Sequence, residues 1–324
     1  MIKSKWVALL APVLLALAAV PAAAQSFPTK PIRLVLPYAP GGATDFTGRT
    51  VAQYMSEVIG QQVVAENRTG SGGIPGTDFV VRSAPDGYTL VLMDPAIVIN
   101  PSLLASVPFD VFKDLKVVSR VNSAALVLVA SPHLPVKNFA ELVAYGKANP
   151  GKLNFSSAGI GTTPHLGGEL LKQRAGFDAV HVPYRGIGQS YTDMMSGKIS
   201  FGFSSFAGAL PFTGDNRVRA LATTGLKRST THYADLPTLD EAGLKGFEVE
   251  LWYVILAPAA TPPDVMAKLN DALVKTLAKP ELKAAFAKIG AVPVSTTQEE
   301  GAAFLKAEYE KWKKVITDGN IKEN

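Results

Sequence analysis

The segment Ile32-Arg33-Leu34-Val35-Leu36-Pro37-Tyr38-Ala39-Pro40-Gly41-Gly42-Ala43-Thr44-Asp45 passes from a β-branched apolar run, through a turn rich in Gly and Pro, into an amphipathic stretch that continues to Ile59. Strand, glycine turn and helix make the first half of a βαβ unit. Glycines let backbone approach a ligand closely, and the first N–H groups of a helix lack internal partners, so the turn is suited to an anion. It reads equally as an ordinary βα loop capped by Thr44 or Asp45, and the local chemistry does not separate the two.

The same alternation recurs along the chain. Short apolar runs stand at Val63 to Glu66, Tyr88 to Met93, Val117 to Val121, Leu126 to Ala130, Leu153 to Ser156, Ala179 to Val182, Ile199 to Phe203, Val218 to Ala222 and Trp252 to Ala257. Helical spacing appears at Phe139 to Ala148, Pro164 to Arg174 and Gln189 to Ser196. The last quarter reads as three amphipathic helices, Pro263 to Leu277, Pro280 to Ile289 and Glu299 to Thr317. This is the pattern of an α/β protein with parallel sheets covered by helices. No period of 20–50 residues, low-complexity tract or long linker interrupts it, which argues against a solenoid or a flexible array.

Lys3, Lys5, an apolar run from Trp6 to Val20 and Ala22-Ala23-Ala24 before Gln25 form a secretory signal peptide pattern, too short for a typical membrane span. The expectation is export, with cleavage near Ala24-Gln25. The chain has no cysteine, which excludes a lipid-anchored cysteine, thiol catalysis and disulfides. With 324 residues, of which 47% are hydrophobic, it can build two cores without a metal or disulfide. Removing Lys3 and Lys5 from 32 basic residues leaves 30 against 27 acidic, a net of +3. The basic residues are scattered, so a nucleic-acid surface is not expected, while a mild positive field suits an anionic solute. Two lobes are expected, residues 25–125 with 253–324 and residues 126–252, the chain crossing twice between them.

A second strand-to-helix turn, Ser156-Ser157-Ala158-Gly159-Ile160-Gly161-Thr162-Thr163-Pro164-His165, places Thr163 as a candidate N-cap with Pro164 first in the helix. One such turn per lobe could grip an anion from both sides. Arg185, in Tyr184-Arg185-Gly186, is placed for a bidentate clamp on a carboxylate or else for an ordinary ion pair. Ser204 and Ser205 close a strand and offer hydroxyls, though strand-end serines are common in turns. His165 could donate or act as a base, but a lone histidine at a helix start is more often a capping or surface residue. Gly70-Ser71-Gly72-Gly73-Ile74-Pro75-Gly76 fails the dinucleotide pattern at Pro75 and carries no P-loop lysine, so it is read as a packing loop near the cleft wall. The histidines have no metal spacing, and no serine stands in a Gly-x-Ser-x-Gly elbow; neither metal nor catalytic residues are assigned.

Pro28-Thr29-Lys30-Pro31-Ile32-Arg33, Pro40-Gly41-Gly42-Ala43-Thr44-Asp45, Glu66-Asn67-Arg68, Ala84-Pro85-Asp86-Gly87-Tyr88-Thr89-Leu90, Asn100-Pro101, Pro150-Gly151-Lys152-Leu153-Asn154, His181-Val182-Pro183-Tyr184-Arg185-Gly186 and Glu241-Ala242-Gly243-Leu244 follow one another in an order that resembles the Bug solute receptors of tripartite tricarboxylate transporters, over essentially the whole mature chain. The resemblance implies a type II periplasmic-binding fold, with two lobes closing on a ligand cleft about two hinge crossings. It implies that Gly41, Gly42, Ala43, Thr44 and Asp45 hold a carboxylate through backbone groups and ordered water. The ligand-binding set is completed by Tyr38, Asp94, Ser156, Ala158, Gly161, Thr162, Thr163, His165, Tyr184, Arg185, Ser204 and Ser205. Many members resembling this chain carry an acid where Ser204 or Ser205 stands, whereas here Asp94-Pro95 replaces small residues. The implied ligand is therefore a non-amino mono- or dicarboxylate with Arg185 or His165 near its far end, unless Asp94 supplies the missing acid from the other lobe. A periplasmic monomer working with a large and a small membrane permease subunit, with no cofactor and no enzymatic activity, is implied as well. A sensor receptor for a signalling partner and a secreted α/β hydrolase are the competing readings.

Overall fold

A computed structural model describes residues 27–184, 187–215 and 217–323. The signal segment 1–24 and the candidate clamp Arg185 lie outside the described residues. In chain order the strands are β1 (Ile32–Leu36), β2 (Val63–Asn67), β3 (Thr89–Met93), β4 (Leu115–Ala130), β5 (Asn154–Ser157), β6 (Val180–Pro183), β7 (Phe201–Ser205), β8 (Arg219–Thr223), β9 (Glu250–Pro258) and β10 (Val292–Pro293). The helices that position the site are α1 (Ala43–Ile59), α2 (Ile74–Val81), α3 (Ala96–Leu103), α4 (Val111–Asp114), α5 (Phe139–Ala148), α6 (Thr163–Ala175), α7 (Ile187–Met195), α8 (Phe206–Thr213), α9 (Pro263–Ala278), α10 (Pro280–Ala287) and α11 (Gln298–Asp318).

The strands run β2-β1-β3-β9-β4-β7-β5-β6, with β8 and β10 also paired to β4. β1 lies parallel to β2 and β3, and β5 parallel to β6 and β7. Two parallel halves are thus joined through antiparallel β4 and β9. The change of partner is sharp. β4 pairs β9 from Leu115 opposite Pro258 to Ala125 opposite Glu250, then pairs β7 from Leu126 opposite Ser205 to Ala130 opposite Phe201.

Sequence patterning splits this strand into Val117 to Val121 and Leu126 to Ala130, but the backbone is continuous for 16 residues. The polar break Asn122-Ser123 is taken up by register shifts against β9 between Val117 and Ser119 and between Arg120 and Asn122. Such irregularities bend a strand while keeping it paired.

The C-terminal helices return to the first half. α9 packs on α1 over a core that includes Ile32, Leu34, Leu36, Met266, Leu269 and Leu273. α11 starts from a capping box, Thr297 with Glu300, and lies against α3 and β4. It is tied to β9 by one buried carboxylate: the indole N–H groups of Trp252 and Trp312 both donate to Glu308 Oε2, at 2.8 and 3.1 Å. Both rings are buried, Trp312 completely. Among the described residues no helix is long and apolar enough to cross a membrane.

Candidate ligand-binding site

A cavity of about 450 Å³ opens between the two halves, its wall built from both glycine turns, from α3 and from β9. From the first turn come Tyr38, Ala43 and Thr44; from the second come Ile160, Gly161, Thr162, Thr163 and Pro164. Leu103 of α3 meets the second turn so closely that a Cβ on Gly161 would fall 2.4 Å from Leu103 Cδ2.

Among the described residues, each turn leaves backbone donors unpaired. In α1 the first intrahelical bond is Phe46 N to Gly42 O, at 3.0 Å, so the N–H groups of Ala43, Thr44 and Asp45 precede the ladder. In α6 the first is Leu166 N to Thr162 O, also 3.0 Å, which leaves Thr163 and His165, since Pro164 has no N–H. The cap is therefore Thr162, one residue earlier than the sequence suggests, and its hydroxyl donates to Gly159 O at 2.7 Å instead of capping α6. Glycines at 159 and 161, with φ of 127° and 77°, permit the turn that aims these groups inward.

The first turn is held in shape by Asp45, whose carboxylate takes Gly41 N at 3.0 Å, Arg49 Nε at 2.9 Å and Asn67 Nδ2 at 2.9 Å. The bond from Arg49 and the others hold its pKa at about 2. Asp45 thus braces the turn from behind and is not part of the cavity wall. Gly41 and Gly42 lie exposed beside that wall.

The floor is a tyrosine and aspartate group. Tyr38 donates its hydroxyl to Asp94 Oδ1 at 2.8 Å, and Ala96 N reaches the same oxygen at 3.0 Å. Thr44 Oγ1 donates to the Tyr253 hydroxyl at 3.2 Å, and Tyr253 lines the cavity. Burial raises the pKa of Asp94 despite these bonds, and burial with the Asp94 charge raises Tyr38 and Tyr253. Both phenols are protonated donors at neutral pH.

Residues 47–321 match the family described as "Tripartite tricarboxylate transporter family receptor". The chain belongs to that family. Protein BugT of Bordetella pertussis is 34% identical over 306 residues, 94% of either chain. A Rhodopseudomonas palustris protein, Rpa4515, solved with adipate, superposes with a TM-score of 0.78 at 29% identity over 91% of this chain and 99% of that one. MatC from the same organism, solved with bound malate, gives 0.72 at 27% identity over 90% of this chain and all of the other. The two-lobe periplasmic-binding fold and the Bug-type kinship read from the sequence stand on these matches and on the architecture above. The family is described as one of receptors, and BugD, another solved relative, as a periplasmic binding protein.

Several candidate residues of this receptor lie outside the cavity wall. His165 is buried, its Nδ1 accepting from Gly161 N at 3.1 Å, and its ring stacks on His181 with centroids 3.8 Å apart. Burial, then the neighbouring His181 and Lys172, push His165 down to about 3, and burial with Lys172 pushes His181 down to about 4. Both stay neutral and shape the second turn. Ser157 Oγ lies 2.7 Å from His181 Nε2, a serine–histidine pair, but Ser157 is wholly buried and holds Gly159 N at 3.0 Å. No substrate reaches it in this conformation. Ser156 is buried against Gly202, and Ala158 is half-buried in the turn. Tyr184 donates to Asp193 at 2.8 Å. Ser204 is buried beside the Tyr191 hydroxyl, and Ser205 caps α8 by accepting from Gly208 N at 3.2 Å. Sequence reasoning missed Tyr253 and Asn100, while Gly72 belongs to the glycine-rich segment that it set near the cleft wall. Asn100 Nδ2 donates to Gly72 O at 2.8 Å and pins the glycine-rich segment to α3. The Asn100-Pro101 pair that carried the family resemblance was the available signal for it.

Proposed function

We propose that this receptor binds a small carboxylate between its lobes, residues 25–125 with 253–324 and residues 126–252, and delivers it to the permease subunits of a tripartite transporter. The observation that carries the reading is the convergence of two unpaired helix N-termini, one from each lobe, on a single cavity. The partial positive charge at each terminus favours an anion, and enclosure strengthens that preference. Adipate and malate in two relatives are small carboxylates of a size this volume admits. Segment 1–24 directs the chain to the periplasm, and the lobes close about the β4 and β9 crossings, the register shifts between Val117 and Asn122 absorbing the motion.

The test is calorimetry and thermal shift on the chain from Gln25 against mono-, di- and tricarboxylates, amino acids and neutral solutes of matched size. A ligand that binds only the folded state raises the melting temperature by mass action. Stabilisation confined to neutral solutes would refute the carboxylate reading. Transport is tested separately, by loss of uptake of the identified ligand when the receptor gene is deleted.

A further inference from the structure

Asp94 gives this cavity a charge pattern that a simple dicarboxylate does not match. Its Oδ1 is fixed by Tyr38 and Ala96, and apart from Asp94's own N–H no further donor among the described residues reaches the carboxylate. The second acidic group in the wall is Glu323, near the end of the chain. No lysine, arginine or histidine among the described residues lines the cavity. Positive potential comes from the N-termini of α1 and α6; Tyr38 has its backbone in the first turn and its hydroxyl on Asp94. A second ligand carboxylate placed beside Asp94 would meet a like charge in a poorly solvated setting, while a cationic nitrogen there would complete an ion pair and occupy the unused oxygen.

We propose that Asp94 is the specificity-determining residue of this site, and that the ligand is a short zwitterion whose carboxylate faces the two turns and whose ammonium pairs with Asp94. This rests on the carboxylate reading above and replaces the non-amino ligand expected from Ser204 and Ser205. Tyr38 is the bridge between the two ends. Its backbone lies in the first turn, its O accepting from Asn67 Nδ2 at 3.0 Å, and its hydroxyl holds Asp94. The ammonium is thus placed about one tyrosine side chain from the anion-binding backbone, a separation that suits an ω-amino acid of a few carbons.

The experiment is isothermal calorimetry of the chain from Gln25 with three matched series of three to six carbons: α,ω-dicarboxylates, ω-amino carboxylates and plain monocarboxylates, with α-amino acids alongside. The expected result is that an amino carboxylate binds at least ten-fold more tightly than the dicarboxylate and monocarboxylate of its length. Asp94→Asn should erase that preference and improve dicarboxylate binding. Dicarboxylates preferred by the unmodified receptor would overturn the zwitterion and leave the carboxylate reading intact. Silence from every carboxylate would overturn both. The unmodified receptor decides the ligand class even if Asp94→Asn does not fold, and Asp94→Ser is the second variant. An unchanged preference in a folded Asp94 variant would remove the role from Asp94.

Discussion

Acidification from pH 7 to pH 4.5 should lower the melting temperature of the receptor, and His165→Asn should remove a definite share of that loss. The folded protein keeps His165 neutral until about pH 3, because its ring is buried and faces His181 and the Lys172 charge. In the unfolded chain the same imidazole protonates near pH 6.5. Between these values the unfolded state binds more protons, so stability rises with pH; it is intact above 6.5 and erodes as the pH falls toward 3. At pH 4.5 the gap is about two units, worth about 2.7 kcal/mol from this residue. For a chain of this size that corresponds to a fall of about 5 °C.

Asparagine is the informative replacement because its Oδ1 can occupy the place of the imidazole Nδ1 and still accept from Gly161 N, while carrying no titratable proton. The substitution also loses the stacks on His181 and Phe155, so the absolute melting temperature at pH 7 will drop. The readout is the difference between pH 7 and pH 4.5, measured by scanning calorimetry on both proteins in buffers of equal ionic strength. His181 titrates in an overlapping window and will leave some slope behind. Parallel profiles for the two proteins would refute the claim that folding holds His165 neutral.

Thr44→Ala and Thr163→Ala should each weaken ligand binding by roughly 0.5–1.5 kcal/mol, about two- to twelve-fold by calorimetry, through loss of a polar group at the anion end. Unchanged affinity in both would move the site away from the turns. Gly161→Ala should weaken binding further, because φ is 77° and the new methyl would collide with Leu103 across the cleft; the left-handed backbone alone costs about 1–2 kcal/mol. Adding Leu103→Ala should recover part of the affinity, and scattering profiles of the single variant should remain more open on addition of ligand. Glu308→Ala should cost several kcal/mol in urea unfolding, since two buried indole N–H groups lose their acceptor at roughly 1–3 kcal/mol each. Glu308→Gln, which retains a carbonyl, should lose less.

Where apolar periodicity was strong, the sequence was a good guide: Phe139 to Ala148 is helical over those very residues, and the runs at Ile32, Val63 and Trp252 all became strands. Four helices went unread: the four-residue α4, and the eight-residue α2, α3 and α8, each of which contains a proline. Proline removes one N–H, a penalty that is slight in the first turn, where Pro75 stands, and tolerable in helices of eight residues held by their surroundings, as with Pro101 and Pro211. Local punctuation therefore outweighed a tertiary signal that a single chain does not display. The site divides in the same way. The turns announced themselves because glycine, hydroxyl and strand-to-helix order are local features. Asp45 and His165 stand in the two turns by sequence, but that Asp45 accepts from Gly41 N and His165 from Gly161 N is a matter of three-dimensional packing. Tyr253 lies 209 residues from its partner Thr44 and is brought to it by β9 returning between β3 and β4. The cavity floor is therefore set by topology, and the role proposed for Asp94 depends on the absence of a cation from the cavity wall among the described residues.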